Sequence, residues 1–418
     1  MGCRVVVTGV GFENKGAEAM LLAVREYLAQ HLPRASCCMV VATDSDAAKA
    51  RDRGICPIRV TGTSLRRRWV LLLALLGIRR RARVTDGDLA KGLDSMFPVV
   101  DVIVDAGGYV SSDQWGIRPA LSRFFCCLQA RAHRVPVLFL TQSWGPFRGF
   151  WIRHLTAWSA RRAELVVARD ELSLRHLKGL GGLAEDKLLW APDLALPMAA
   201  SGLDAQSSIF PKCGIPAEAK TVIGMTPNMN CYKRSEGTGT GNRYVRLATH
   251  VARHILESTD AHLLLIPHEM HDLARDDRLL IRLIQEGIGD HERMHCLRED
   301  LGARDLKAVV GALDFLVASR YHSVIAAVSM GTPVLVIGWA HKYDELLRAI
   351  GLDELLVDHR NADVTEAAAR FDEAFAGREK IRSAMRSRGR AVKNASQKPL
   401  ELAVEIISRL QARRQTRS

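Results

Sequence analysis

Short apolar runs alternate with helical patterns along most of this 418-residue chain. In the first half, the predicted strands are Cys3–Val10, Cys37–Ala42, Asp101–Ala106, Val135–Thr141 and Leu165–Ala168. The helical patterns that separate them include Ala17–His31, Pro119–Ala132 and Leu172–Lys178. Strands that alternate with helices in this way predict a parallel sheet covered by helices on both faces.

The same alternation restarts after a stretch rich in Gly, Ser and Pro at residues 199–216. The second set of predicted strands is Thr221–Met225, His262–Pro267, Asp314–Ala318 and Val334–Ile337, and the helices are Tyr244–Ser258, Arg278–Glu286, Asp305–Gly311 and Val324–Met330. The chain therefore predicts an α/β fold with two Rossmann-like domains whose parallel sheets face a cleft. The predicted limits are 1–204 and 205–375 for the two domains and 376–418 for a basic helical tail.

The balance of charged residues favours an acidic ligand or surface. Lys and Arg number 59 against 46 Asp and Glu, a formal net charge of +13. Nucleic acid is not predicted as a partner, because the sequence has no zinc-finger spacing, no arginine-rich arm with aromatics and no ribonucleoprotein motif. Nine cysteines without a C-x-x-C, and a strand that begins at Cys3 with no signal peptide before it, indicate a cytoplasmic protein.

One basic and apolar segment, residues 66–83, leaves two interpretations open. Its apolar run Trp69–Ile78 has arginines on both sides and is too short to span a bilayer, which takes about 20 apolar residues. It predicts either a core-facing helix with a basic rim or a helix that docks on anionic lipid at the inner face of the membrane.

The turn after the predicted strand Asp314–Ala318 is the most informative part of the sequence. Ligands of open parallel sheets bind beyond the carboxyl ends of the strands. Ser319 is a predicted N-cap there, and Arg320 and His322 fall in the first helical turn. The helix dipole disfavours cations at that place, so two basic residues indicate a bound anion between them. The alternative is an exposed Arg and a His near the cap.

A second turn of the same design follows the strand Leu165–Ala168. Arg169 stands at the carboxyl end of that strand, and Asp170 is a good N-cap for the next helix. We expect Arg169 to point into the same cleft as Arg320, from the opposite domain. A surface ion pair is the alternative interpretation.

The first turn is rich in glycine but does not complete a dinucleotide motif. Gly9 and Gly11 begin a G-x-G, yet Asn14 stands where the third glycine belongs, so neither NAD nor another cofactor is predicted. Asn14 and Gly16 suit a phosphate or a sugar at a helix start. No metal is predicted either, because His268-Glu-Met-His271 is one residue short of the zinc motif.

Two further turns of the first half carry candidate site residues. Asp105 is followed by Gly107 and Gly108, which let a ligand approach the backbone closely. Trp144, in the turn after the strand Val135–Thr141, predicts either a ring that stacks on a sugar or a buried structural tryptophan.

Together these turns resemble the polysaccharide pyruvyltransferase family. The matching motifs are Asn14-Lys-Gly-Ala-Glu18, Asp105-Ala-Gly-Gly-Tyr109, Gln142-Ser-Trp-Gly145, Ala168-Arg-Asp-Glu-Leu-Ser173, Ser319-Arg-Tyr-His-Ser323 and Gly331-Thr-Pro333. The resemblance implies two Rossmann-like domains arranged as in the GT-B glycosyltransferases. It also implies phosphoenolpyruvate as donor and a glycan or lipid-linked saccharide as acceptor, with pyruvate ketal-linked to a pair of sugar hydroxyls during cell-surface polysaccharide biosynthesis.

The resemblance also implies roles for the site residues. By position, Arg169, Arg320 and His322 match the family's donor-binding and catalytic residues, and Tyr321 lies between the last two. His322 is the expected proton donor, because an ordinary histidine pKa of about 6.5 suits proton transfer near neutrality. Asp105 or Asp193 is the expected base. The remaining candidates, expected on the acceptor or a phosphate, are Asn14, Gly16, Gly107, Gly108 and Trp144.

Two other functions fit the same pattern. A GT-B glycosyltransferase that uses a nucleotide sugar would have the same two-domain cleft, because a fold does not determine a function. A cleft protein that binds an acidic metabolite without catalysis is the third interpretation. We expect the donor on the second domain and the acceptor on the first.

Overall fold

The structure, a computed structural model, describes residues 3–59, 100–270, 276–338 and 341–415. They form two compact units, which divide the chain as Met1–Val10, Val24–Ala191 and Lys398–Ser418 for the first and Gly11–Ala23 and Pro192–Gln397 for the second. The segment at 66–83, with its two interpretations, lies outside the described residues.

The first unit is built on a parallel sheet of seven strands in the order β3-β2-β1-β4-β5-β6-β7. Its strands are β1 (Arg4–Thr8), β2 (Ser36–Val41), β3 (Cys56–Arg59), β4 (Val102–Asp105), β5 (Val137–Gln142), β6 (Leu165–Ala168) and β7 (Leu188–Trp190). Its helices are α1 (Lys15–His31, whose first nine residues belong to the second unit), α2 (Asp44–Asp52), α3 (Ile117–Ala132), α4 (Phe150–Arg162) and α5 (Glu171–Lys178). The helix Lys398–Gln415, α15 below, also belongs to this unit.

The second unit repeats the design with six parallel strands in the order β10-β9-β8-β11-β12-β13. The strands are β8 (Val222–Thr226), β9 (His262–Leu265), β10 (Met294–Cys296), β11 (Phe315–Ala318), β12 (Val334–Gly338) and β13 (Leu356–Asp358). The helices of this unit are α6 (Ala205–Ser208), α7 (Met229–Lys233), α8 (Arg243–Ser258), α9 (Asp277–Ile288), α10 (Ala303–Gly311), α11 (Tyr321–Met330), α12 (His341–Ala349), α13 (Val364–Ala376) and α14 (Arg378–Ala395). The last helix of the chain, α15 (Lys398–Gln415), belongs to the first unit.

The central strands of both sheets are buried along their whole length, as helices on both faces of a parallel sheet require. Every residue of β4, β5 and β6 is buried in the first unit, and every residue of β8, β11 and β12 in the second. This burial explains why these strands read as unbroken apolar runs in the sequence. The predicted α/β fold with two Rossmann-like parallel sheets is confirmed.

The limits of the units and the predicted domain limits are drawn at different places. The sequence puts a boundary between 204 and 205 and a separate tail at 376–418, whereas the compact units change over between Ala191 and Pro192 and include α15 in the first. The reason is packing: α15 lies against β5 and buries Leu400, Ala403 and Ile407. The cleft between domains stays a prediction.

None of the helices in the described residues is long and apolar enough to cross a membrane.

Candidate functional site

In the second unit, the turn from β11 to α11 holds Arg320 as an internal ion-pair residue. The residue is 7% exposed, and its guanidinium donates from Nη1 to Oε2 of Glu269 at 2.6 Å and from Nη2 to Oδ1 of Asp277. Both terminal nitrogens are therefore used inside the unit. Its Nε has no hydrogen-bond partner among the described residues, so Nε is the donor left for a further acceptor.

Burial and the opposite charges of Arg320 and Asp277 have opposing effects on the pKa values of these two groups. Burial alone would lower the pKa of Arg320, but Asp277 and Glu269 raise it above the ordinary value of an arginine. Burial raises the pKa of Asp277, and the Arg320 guanidinium opposes that rise. Asp277 Oδ2 also accepts from the backbone N–H groups of His268 at 3.1 Å and Glu269 at 2.9 Å. These bonds favour the carboxylate form, because hydrogen bonds to a charged group stabilise that form.

The backbone of the same turn is fixed by side chains from three other elements. The carbonyl oxygen of Ser319 accepts from Asn228 Nδ2 at 2.7 Å and from the Tyr343 hydroxyl at 2.8 Å. Ser323 Oγ lies 2.7 Å from Thr226 Oγ1, at the end of β8, and donates to the Arg320 carbonyl. The prediction that Ser319 caps α11 is wrong: Arg320 holds the cap position and makes no side-chain cap bond. The Ser319 carbonyl is used to anchor the turn instead.

His322, the second residue of α11, lies between the first turn of α1 and a buried carboxylate. Its Nε2 is 3.9 Å from Oδ2 of Asp193, whose side chain is fully buried, while the His322 side chain is 20% exposed. On its other side the ring is in contact with Gly16, because an added Cβ on Gly16 would overlap the imidazole. The ring is thus held in one place by a backbone and a charge. This arrangement suits a residue that gives and takes a proton.

Asp193 is itself held by a tethered segment. Its Oδ1 accepts from the Ala195 N–H at 2.9 Å, and Lys307 Nζ on α10 donates to the carbonyls of Leu196 at 3.0 Å and Met198 at 2.6 Å. A buried ammonium that is bonded to backbone carbonyls fixes the segment after β7 to the second unit. The position of Asp193 against His322 follows from that tether.

The start of α1 contributes a capping side chain and a buried ammonium. Asn14 Oδ1 accepts from the Gly16 N–H at 2.9 Å and the Ala17 N–H at 3.3 Å, so this oxygen caps α1. Lys15, which is buried, pairs with Asp300 and lies 3.9 Å from Glu18 Oε2. The amide oxygen of Asn14 thus serves the helix start, and the binding of a phosphate or a sugar by Asn14 and Gly16 stays a prediction.

Beside His322 lies a cavity of about 20 Å³ with four basic residues in its wall: Lys15, His268, Lys307 and His322. Its volume corresponds to about one water molecule. The buried His268 ring faces this cluster; burial, reinforced by the charges of Arg320, His322 and Lys15, lowers its pKa well below the ordinary value of a histidine. His268 is therefore neutral at physiological pH.

In the first unit, Asp105 is a partner of Arg123 on α3. Its Oδ2 accepts from Arg123 Nε at 3.1 Å, and its Oδ1 accepts from the Gly107 N–H and from Gln142 Nε2, each at 3.0 Å. Arg123 also donates to Gln142 Oε1 at 2.8 Å and to Ser111 Oγ. The carboxylate thus holds the turn after β4 together. A catalytic role for Asp105 stays a prediction, and these contacts favour a structural one.

The two glycines after Asp105 have backbone roles. Gly107 donates to the Asp105 side chain, and its Cα lies so close to Gly9 that a Cβ on Gly9, whose φ is +75°, would be 2.7 Å away. Gly108 accepts from the Ser143 N–H at 2.8 Å. Glycine is required at position 9 for both reasons, since left-handed backbone is strained for other residues.

Arg169 and Ser143 form the second cluster of the first unit. Arg169, buried at the carboxyl end of β6, donates from Nε at 3.1 Å and Nη2 at 2.7 Å to Ser143 Oγ, which donates at 2.9 Å to Asp170 Oδ2. Asp170 Oδ1 caps α5 by accepting from the Ser173 N–H, as the sequence predicts. The convergence of Arg169 with Arg320 and His322 stays a prediction.

Trp144 and Tyr321 are both buried. Trp144 is 1% exposed, donates from its indole N–H to the Val167 carbonyl at 3.0 Å and packs edge-on against Phe139. A ring in the core cannot stack on a sugar, so the structural interpretation of Trp144 is the correct one. The Tyr321 ring packs between His322 and Tyr343, and its predicted contact with the donor stays a prediction.

In the parts of the chain that the structure describes, no three or more His, Cys, Asp or Glu side chains are grouped so as to hold a metal ion. The residues that sequence reasoning missed are Arg123, Glu269, Asp277 and Lys307. Each lies far along the chain from its partner, and no local motif marks it.

The family model "Polysaccharide pyruvyl transferase" matches residues 14–341. A curated relative, the amylovoran biosynthesis protein AmsJ of Erwinia amylovora, is 21% identical over 260 residues, which are 62% of this chain and 61% of the relative.

The similar solved structures share the fold at low identity. A glycosyltransferase from Rickettsia africae matches with a TM-score of 0.62 at 14% identity, over 98% of this chain and 99% of that one. HepE from Anabaena in complex with UDP and glucose has a TM-score of 0.59 at 12% identity, over 98% and 100% of the two chains. MnaA from S. aureus with UDP has a TM-score of 0.58 at 15% identity, over 92% and 90%. These likenesses show the GT-B-like fold, and the family match adds the kind of enzyme: the chain belongs to the polysaccharide pyruvyl transferase family.

Proposed function

We propose that the protein transfers pyruvyl from phosphoenolpyruvate to a pair of hydroxyls on one sugar, as a ketal, during synthesis of a cell-surface polysaccharide. The family match supports a transferase that acts on a polysaccharide. The relative named for amylovoran biosynthesis supports a place in the making of a glycan. The nine cysteines are free thiols, which favours the cytoplasm, a reducing compartment, as the place of the reaction.

The observation that carries the proposal is the position of His322 against Asp193. An imidazole 3.9 Å from a buried carboxylate, on a turn that is fixed by bonds to the Ser319 carbonyl, is a pre-positioned acid–base group. The carboxylate stabilises the protonated ring by charge, and burial strengthens that attraction. Ketal formation from an enol phosphate needs such a group, because its first step is protonation of a carbon.

His322 gives a proton to the methylene carbon of phosphoenolpyruvate, which becomes a methyl group, and positive charge develops at the adjacent carbon. A first sugar hydroxyl attacks that carbon and returns its proton to the imidazole. Phosphate then leaves with the C–O bond electrons, the second hydroxyl attacks, and its proton goes to the phosphate.

The donor carries a carboxylate and a phosphate, about three negative charges near neutral pH. Arg169 is our candidate for one of these anions, because a guanidinium can bind a planar or tetrahedral oxyanion with two parallel hydrogen bonds. Lys15 and the α1 start are candidates near His322. Arg320 acts mainly through the position of the turn, since its terminal nitrogens are bonded to Glu269 and Asp277.

The test combines ligand binding with turnover. Phosphoenolpyruvate, but not UDP-glucose, should raise the melting temperature of the wild type and of His322→Gln. The wild type and the control His250→Gln, on α8, should release phosphate at equal rates and add the mass of pyruvic acid less one water to the acceptor. Turnover should fall by about 10²- to 10⁴-fold in His322→Gln, the usual worth of a general acid. Protection by UDP-glucose alone, or normal turnover in His322→Gln, would refute the proposal.

A further inference from the structure

The first unit carries large apolar side chains on its surface. Phe150 and Trp151, at the start of α4, are 63% and 65% exposed, and Trp115 and Ile117 are 43% and 39% exposed. We call these four residues the aromatic patch. Single exposed apolar residues are common on proteins, but adjacent large ones mark an interaction surface.

The two chain segments that carry the aromatic patch are bonded to each other. The carboxylate of Asp113 accepts from the backbone N–H of Arg148 at 2.6 Å and of Gly149 at 3.1 Å. This joins the turn that holds Trp115 to the turn that begins α4. Ile152, which follows the two exposed rings, is buried in the core and anchors the helix start.

The rings are held in place on the outside of α4. Phe150 packs on His154 with ring centroids 4.0 Å apart, and Trp151 meets Phe150 edge-on at 5.3 Å. Such rings lose little side-chain entropy when they bury further, so their transfer out of water is favourable.

The two chain segments that carry the aromatic patch are mostly basic. Arg118, Arg148 and Arg153 are exposed there, although Arg153 also donates to the Gly179 carbonyl, and Asp113 is the one acidic residue in the sequence segments 109–118 and 143–154. The Asp113 carboxylate already accepts hydrogen bonds from the backbone N–H groups of Arg148 and Gly149. Aromatic rings with a margin of arginines match the membrane interface, where rings lie at the headgroup level and cations bind anionic lipid.

A carbohydrate partner fits less well. A sugar site needs several carboxylate or amide side chains beside the ring to bond the hydroxyls, whereas Asp113 is already bonded to two backbone N–H groups and Gln114 is the one amide side chain of the segments 109–118 and 143–154. We infer that the aromatic patch docks the protein on the surface of an anionic membrane, with the rings in the headgroup layer and the arginines on the lipid phosphates.

The experiment uses the full chain and vesicles of phosphatidylcholine with or without phosphatidylglycerol. The wild type should sediment with the anionic vesicles, and Phe150→Ala/Trp151→Ala should lose about tenfold or more in partition coefficient. Trp190→Ala, which removes another half-exposed ring of the same unit, is the matched control and should bind as the wild type does. Arg118→Gln/Arg148→Gln should weaken binding to the anionic vesicles only.

The variants replace exposed side chains, so their melting temperatures should equal that of the wild type. Trp151→Glu alone is an independent test and should also lose binding to the anionic vesicles. Equal binding by the wild type and the double variant would overturn the inference. So would a wild type that binds soluble glycan but no vesicles, or a wild-type dimer that the double variant splits.

Discussion

The Nε2 atom of His322 lies 3.9 Å from Oδ2 of Asp193, a carboxylate that is fully buried in the second unit. The distance is that of an ion pair and exceeds that of a hydrogen bond. Asp193 therefore acts on His322 through its charge, which attracts the protonated imidazole and holds the ring in position. The chemistry proposed for His322 depends on this pair.

Replacing that charge is the first prediction. Asp193→Asn keeps the size of the side chain and should lower turnover by about 10- to 100-fold, because the protonated imidazole loses its counter-charge. Phosphoenolpyruvate affinity should change little. The alkaline limb of the turnover profile should move to lower pH, which a merely structural role for Asp193 would not cause. An unchanged profile would contradict the assignment.

The contact between Gly16 and His322 gives a matched pair of variants. Gly16→Ala, in the first turn of α1, places a methyl group where the imidazole lies, whereas Gly11→Ala, in the turn before α1, meets nothing within 4 Å. We expect Gly16→Ala to lose about 10²-fold in turnover, the cost of a displaced catalytic group, and Gly11→Ala to stay near the wild type. Steady-state kinetics measures both. Equal effects in the two variants would show that the contact does not matter.

The internal pairing of Arg320 separates a structural from a ligand-binding role. Arg320→Met leaves Glu269 and Asp277 buried without their partner and should reduce the free energy of unfolding by about 3–5 kcal/mol. The control is Arg360→Met, which breaks a half-exposed pair with Asp358 and should cost less than about 1 kcal/mol. Urea unfolding measures both values. Normal stability in Arg320→Met, together with lost donor binding, would favour the role expected from the sequence.

His268 should make the protein sensitive to acid. Its pKa is well below the ordinary value in the folded state, whereas the unfolded chain takes up this proton below about pH 6.5. The unfolded state then binds more protons, so the free energy of unfolding should fall as the pH drops below 6.5, by up to about 1.4 kcal/mol per pH unit for this group.

Urea unfolding at several pH values between 7.5 and 5.5 measures how the free energy of unfolding depends on pH. His268→Gln should lessen the pH dependence, and His133→Gln, an exposed control after α3, should leave it unchanged. Burial also lowers the pKa values of His262, His295 and His359, so some acid sensitivity should remain. The same slope in the wild type and His268→Gln would disprove the role of His268.

The sequence predicts the core strands well because buried parallel strands are continuous apolar runs. It misses the four edge strands β3 (Cys56–Arg59), β7 (Leu188–Trp190), β10 (Met294–Cys296) and β13 (Leu356–Asp358), since three or four residues that are not all buried are too few for a pattern. Asp193 follows β7, so its place at a strand end was also hidden.

The partners of the predicted site residues could not be read from the sequence. Glu269 and Asp277 lie 51 and 43 positions from Arg320 along the chain. The sequence shows a basic turn and suggests an external anion, yet the Arg320 guanidinium forms ion pairs with these two internal carboxylates. Trp144 illustrates the same limit, because the motif that marks it does not tell whether its ring faces the core or a ligand.

The helix α15 has a consequence for the order of folding. It packs on β5 in the first unit, but the ribosome makes it after the whole second unit. During synthesis the nascent first unit therefore lacks the side chains of Leu400, Ala403 and Ile407, and the part of β5 that α15 covers stays exposed. A chaperone that shields apolar surface would be most useful to this protein in that interval.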